Sequence, residues 1–136
     1  HFICHSDLDK LSPMESSLIL ENSLDESDQL TLSEITSLKL KANLVVLSAC
    51  ETGIGELTGG DEVVCLSRAF LHAGAASVIY SLWQVNDEST AFLMGRFYKY
   101  LKKNKTSEAL RLAQLDTKEK YDHVFHWAPF VYTGLD

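Results

Sequence analysis

The chain has 136 residues, 46% of them apolar and 23% charged, which fits one globular domain with a moderate core and excludes both a two-domain protein and a disordered one. Its formal charge of −7 argues against a phosphate-binding surface, because nucleic-acid affinity comes mainly from clustered Lys and Arg. Its longest apolar segments are strand-sized, well short of the roughly 18 residues that cross a bilayer, so neither nucleic acid nor membrane is expected as a direct partner.

The first apolar run, His1 to Cys4, reads as a strand that ends at His5, with a polar loop following through Pro13. Ser17 to Glu21 and Gln29 to Leu32 flank an acidic, polar connection, the pattern of a hairpin with a long loop. Thr31 and Glu34 have capping-box spacing and start a short helix through about Leu38, each side chain serving the other's unpaired amide.

Leu44 to Ala49 is a nearly continuous apolar, β-rich run, as in a strand buried on both faces. Cys50 follows it directly. Glycines 53, 55, 59 and 60 predict a loop, and Asp61-Glu62 open a helix whose apolar positions Val63, Leu66, Phe70 and Ala73 recur at helical spacing. Gly74 ends that helix, and Ser77 to Leu82 is a second buried strand, completing a strand–helix–strand unit. Asn86 and Asp87 cap a helix over roughly Glu88 to Lys103, with Leu93, Met94, Phe97 and Leu101 facing inward. Its end, Lys99 to Lys105, is the only basic run and reads as a solvated helix terminus. A further helix covers Ser107 to Asp116, and Trp127 to Thr133, interrupted by Pro129, reads as an edge strand. Alternating strands and helices predict an α/β fold with a mainly parallel sheet flanked by helices.

In such sheets ligands bind beyond the carboxyl ends of the strands, where His5, Cys50 and the loop after Leu82 are expected. A thiol at a strand end, next to a glycine-rich loop, suits a nucleophile, and a nearby imidazole supplies the base that makes it a thiolate. His5 and Cys50 are 45 positions apart in a chain with five His and three Cys, and that spacing alone does not single them out. Three cysteines without paired spacing suit a reducing, cytoplasmic compartment. His1, Cys4 and His5, and the pair His123 and His126, lack the spacing of a metal site, and the glycine-rich loop lacks the Lys-Ser/Thr ending of a phosphate loop. Neither metal nor cofactor is expected.

The run Leu47-Ser48-Ala49-Cys50-Glu51-Thr52-Gly53, followed by Gly60-Asp61-Glu62, Ser67-Arg68-Ala69-Phe70-Leu71 and Ala73-Gly74-Ala75, resembles the signature of the CHAT family. The resemblance continues through Ser77 to Trp83, Asp87, Phe97-Tyr98, Ala109-Leu110-Arg111 and Trp127-Ala128-Pro129-Phe130. It implies that residues 1–136 are the C-terminal, dyad-bearing part of one three-layer caspase-like domain whose N-terminal strands precede His1. It also implies a cysteine endopeptidase acting on a protein substrate, with an upstream tetratricopeptide-repeat or sensor region in the same polypeptide. Carried over residue by residue, Cys50 is the nucleophile and His5 its base, and the amides of Ser6 and Cys50 hold the oxyanion. Trp83 and Asp87 border the substrate pocket, where Asp87 favours a basic side chain. The family has His-Gly where this chain has His5-Ser6, and Thr where it has Cys4. That departure keeps a second class open, an inactive caspase-like interaction or assembly module.

Overall fold

The computed structural model describes residues 1–7, 12–20, 29–48 and 61–136, and shows a mixed α/β architecture with two small sheets and five α-helices among them. The first sheet joins β1 (His5–Asp7), β2 (Ser17–Ile19) and β3 (Gln29–Thr31) in that order, all antiparallel. The β2–β3 pair is the expected hairpin, with Leu18 opposite Leu30. Its connection, residues 21–28, lies outside the described residues.

The second sheet has the order β4 (Val45–Leu47), β5 (Ser77–Ser81), β6 (Phe130–Gly134). Strands β4 and β5 are parallel, Val45 opposite Val78, and are linked through α2 (Asp61–His72) as the strand–helix–strand pattern predicts. Among the described residues, parallel pairing is confined to this pair and an isolated bridge between Phe2 and Leu47. Strand β6 runs the other way because the chain re-enters beside the carboxyl end of β5. Ser81 lies opposite Phe130, and the Leu82 amide donates to the Pro129 carbonyl at 2.8 Å. A return from that end can only be antiparallel.

Local signals account for the helix boundaries. Helix α1 (Leu32–Ser37) opens on the capping box: Thr31 Oγ1 accepts the Glu34 amide at 3.2 Å, and the Glu34 carboxylate accepts the Thr31 amide at 2.9 Å. After α2, Gly74 has φ +108°, and a Cβ there would lie 2.4 Å from the Leu40 carbonyl oxygen, so the turn requires glycine. Helix α3 (Asp87–Leu101) is capped by the Asn86 side chain, which accepts the Ser89 amide at 3.1 Å, while Asp87 is its first residue. Helices α4 (Thr106–Lys120) and α5 (Val124–Trp127) follow.

Successive side chains on β4 and β5 face opposite sides, and each side builds its own core. Val45, Leu47 and Val78 cluster with Leu32 and Ile35 of α1, Leu66 and Phe70 of α2, and Leu18 of the small sheet. Val46 and Ile79 cluster with Leu93, Met94 and Phe97 of α3, Ala109, Leu110 and Ala113 of α4, and Phe130. Helices thus cover both faces of the second sheet.

Three boundaries differ from expectation. Of the His1–Cys4 run only Phe2 pairs, and the strand lies instead at His5–Asp7, within the expected loop. Only Ser6 of β1 is buried, so main-chain pairing to β2 forms a strand that no apolar alternation announces. Helix α4 runs four residues past Asp116. Thr117 is fully buried there, its hydroxyl donating to the Ala113 carbonyl at 2.7 Å, so a polar residue occupies a core-facing turn. Trp127 ends α5, and the tail strand begins only after Pro129.

Candidate active site

The histidine side of the site rests on a short stretch of main chain. The Phe2 amide donates to the Val46 carbonyl at 2.8 Å and the Ser48 amide to the Phe2 carbonyl at 2.9 Å, so His1–Phe2 lies parallel to β4 at its end. Three residues beyond Phe2, His5 is the first residue of β1 and is exposed, opposite Ile19. Ser6 is buried opposite Leu18. Cys50 and the glycine-rich loop, residues 49–60, lie outside the described residues. The described residue nearest to Cys50 in the sequence is Ser48, which is buried.

A cavity of about 220 Å³ opens beside this strand end, its wall formed by His1, Ile3, Ser48, Val85, Met94 and Asp87 among others. Asp87 is exposed at the start of α3, and Ile3 at the cavity wall is exposed as well. Met94 and Val85 are buried. Trp83, half-buried, turns toward α5, its indole N–H donating to the Phe125 carbonyl at 3.2 Å. The structure therefore brings Asp87 to the wall of this cavity and engages Trp83 with the neighbouring short helix.

Sequence reasoning did not assign His1 and Ser48, two polar residues of the cavity wall, or Tyr98, which bonds to His1, to the site. His1 Nε2 is 2.9 Å from Ser48 Oγ, and His1 Nδ1 is 2.9 Å from the Tyr98 hydroxyl. The His1 ring also packs, tilted by 43°, against the Tyr98 ring, and burial pushes the Tyr98 hydroxyl's pKa up, which keeps it protonated. The signal available in the sequence was the placement of His1 and Ser48, which flank the bridged pair Phe2 and Leu47. That placement becomes informative only once the bridge is known.

Among the described residues, no helix is long and apolar enough to cross a membrane. The CHAT domain family model matches residues 1–135. Tetratricopeptide repeat protein 28 of Mus musculus is 33% identical over 112 residues, which cover 79% of this chain and 4% of that protein. Tetratricopeptide repeat protein 28 of Homo sapiens is 34% identical over 110 residues, again 79% of this chain and 4% of the relative. The chain thus spans about 4% of the length of these curated relatives. With the family's pattern matched almost from end to end, the chain belongs to the CHAT domain family.

Proposed function

We propose that the chain is the dyad-bearing part of a cysteine endopeptidase that cuts a protein substrate, with Cys50 as nucleophile and His5 as its base. CHAT domains are caspase-like, peptidase-type domains. The observation that carries the reading is the parallel bridge between Phe2 and Leu47. His5 and Cys50 each follow their bridged residue by three positions, and two segments paired in parallel lead the residues after them toward one end of the sheet, where such folds bind ligands. Helices on both faces of the β4–β5–β6 sheet also suit the three-layer caspase arrangement.

In the proposed reaction His5 accepts the Cys50 thiol proton and the thiolate sulfur adds to a peptide carbonyl carbon. The amides of Ser6 and Cys50 hold the resulting oxyanion. Ser6 lies in a strand, an extended backbone that serine adopts without the help of glycine, which supports the oxyanion role despite the departure from His-Gly. His5 then protonates the leaving amine as the C–N bond breaks. Water, deprotonated by His5, attacks the thioester, the acid product leaves, and Cys50 is regenerated as a thiol. The cavity is the pocket for a substrate side chain, with an aliphatic stem against Val85 and Met94 and a basic end at Asp87. Trp83, in the loop just before Asp87, engages the Phe125 carbonyl instead of lining this cavity.

The similarity to tetratricopeptide repeat proteins supports control by a repeat or sensor region elsewhere in the polypeptide. A reducing compartment such as the cytoplasm keeps the thiol available. Iodoacetamide labelling of the full-length protein, followed by peptide mass spectrometry, tests the dyad. Cys50 is expected to alkylate at least about tenfold faster than Cys4 and Cys65, and to lose that advantage in His5→Ala. Uniform slow labelling of all three would instead fit an inactive assembly module.

A further inference from the structure

We propose that His1 is a positioning residue, whose two ring nitrogens fasten the end of β4 to α3 and thereby set the geometry of the chain that continues from Ser48. The inference rests on the reading of Cys50, two residues past Ser48, as the nucleophile. It begins with how Ser48 is held. Its amide donates to the Phe2 carbonyl at 2.9 Å and its hydroxyl meets His1 Nε2 at 2.9 Å. One two-residue segment therefore grips the strand end through both main chain and side chain, at a residue only 4% exposed.

The other ring nitrogen reaches a different element. His1 Nδ1 is 2.9 Å from the Tyr98 hydroxyl. Tyr98 follows Phe97, which is fully buried and anchors α3 in the second core cluster. The helix is thus a fixed post, and the imidazole spans from it to the strand. Histidine suits the task because its two nitrogens lie on different edges of a rigid ring. The neutral ring offers one donor and one acceptor, and serine and tyrosine hydroxyls can take either role. A Gln amide reproduces only the Nε2 position and an Asn amide only the Nδ1 position. His1 precedes His5 by four residues and Ser48 precedes Cys50 by two, so this one contact couples the two segments that carry the dyad. The coupling matters because small misplacements of reacting groups cost large factors in rate.

The test measures iodoacetamide labelling of Cys50 in the full-length protein, with Cys4 and Cys65 as internal references and hydrogen exchange of residues 77–101 as the control for folding. His1→Ala is expected to slow Cys50 labelling by about tenfold, and Ser48→Ala to slow it comparably. His1→Gln, which keeps the link to Ser48, should restore the rate to within about threefold of the parent, whereas His1→Asn should not. Unchanged labelling in His1→Ala, or no recovery in His1→Gln relative to His1→Ala, overturns the proposal. If His1→Ala fails to fold, the contrast between His1→Gln and Ser48→Ala decides in the same way, since equal rates in those two would sink it. His5→Ala is run alongside. Should it slow Cys50 while His1→Ala does not, the positioning role alone is refuted; should it leave Cys50 unaffected, the dyad falls and this proposal with it.

Discussion

Gly74 and Asp116 show how single positions carry the fold. With φ at +108° and the Leu40 carbonyl oxygen where a Cβ would go, Gly74→Ala should destabilise the chain by more than about 1 kcal/mol, read as a lower denaturant midpoint with unchanged slope. Asp116 sits between Tyr100, whose hydroxyl donates to it at 2.7 Å, and Arg96, which forms an ion pair with it across α3 and α4. Partial burial pushes its carboxyl up, but the hydrogen bonds from Tyr100 and Arg96 outweigh that and hold it below the ordinary aspartate range. A carboxyl with a lowered folded-state pKa stabilises the fold fully above its unfolded pKa. It loses that contribution as pH falls through the folded one. Stability should therefore decline below about pH 4, and Asp116→Asn should flatten part of that decline in denaturation midpoints taken from pH 6 to 3. Only part is removed, since Glu34 and Asp136 are also lowered, by hydrogen bonds from Thr31 and Ser107 respectively. Gly74 was legible because a glycine after an amphipathic run has one favoured use. The trio of Arg96, Tyr100 and Asp116 was not, since nothing in the order of residues says that α3 and α4 lie side by side at that height.

At the level of elements, legibility followed the strength of local signals. The Thr31–Glu34 spacing located the start of α1 because both partners of the box lie within four residues. Thr31→Ala should cost about 1 kcal/mol, again measured by denaturation. The inward stripe of α3 was equally plain, and Phe97→Ala, at a position with no exposure, should cost about 3–5 kcal/mol. Where local chemistry is silent or misleading, the sequence did not suffice. Strand β1 exists because β2 offers it a partner, and its His-Ser-Asp composition carries no trace of that. The last turn of α4 reads as polar, yet Thr117 is fully buried and donates its hydroxyl back to the helix. The antiparallel β6 follows from where α5 delivers the chain, a tertiary fact that strand composition cannot contain.

For the molecule as a whole, β5 is the axis. It pairs with β4 on one side and β6 on the other, and Val78 and Ile79, both without exposure, belong to different core clusters. Its amides should exchange slowest with deuterated solvent, and those of the short edge strand β1 fastest among the strands; mass-spectrometric exchange at peptide resolution checks the order. The proposal of a His5–Cys50 dyad rests on the extended family pattern rather than on the spacing of the two residues. The contacts of His1 were illegible for a simpler reason. They join residues 47 and 97 positions apart, and only a folded chain brings such residues within reach.

The alternation along β4 has a consequence for how this sequence can change over generations. Val45 and Leu47 serve one core and Val46 the other, so replacing any of them by another aliphatic residue perturbs a single layer, which can repack. Deleting or inserting one codon in the strand exchanges the allegiance of every residue beyond it, spoils both layers together, and shifts the Phe2 partner by one place. Lineages of this domain should therefore vary freely in which aliphatic residue stands at these three positions, while gaps in alignments of its descendants fall outside them.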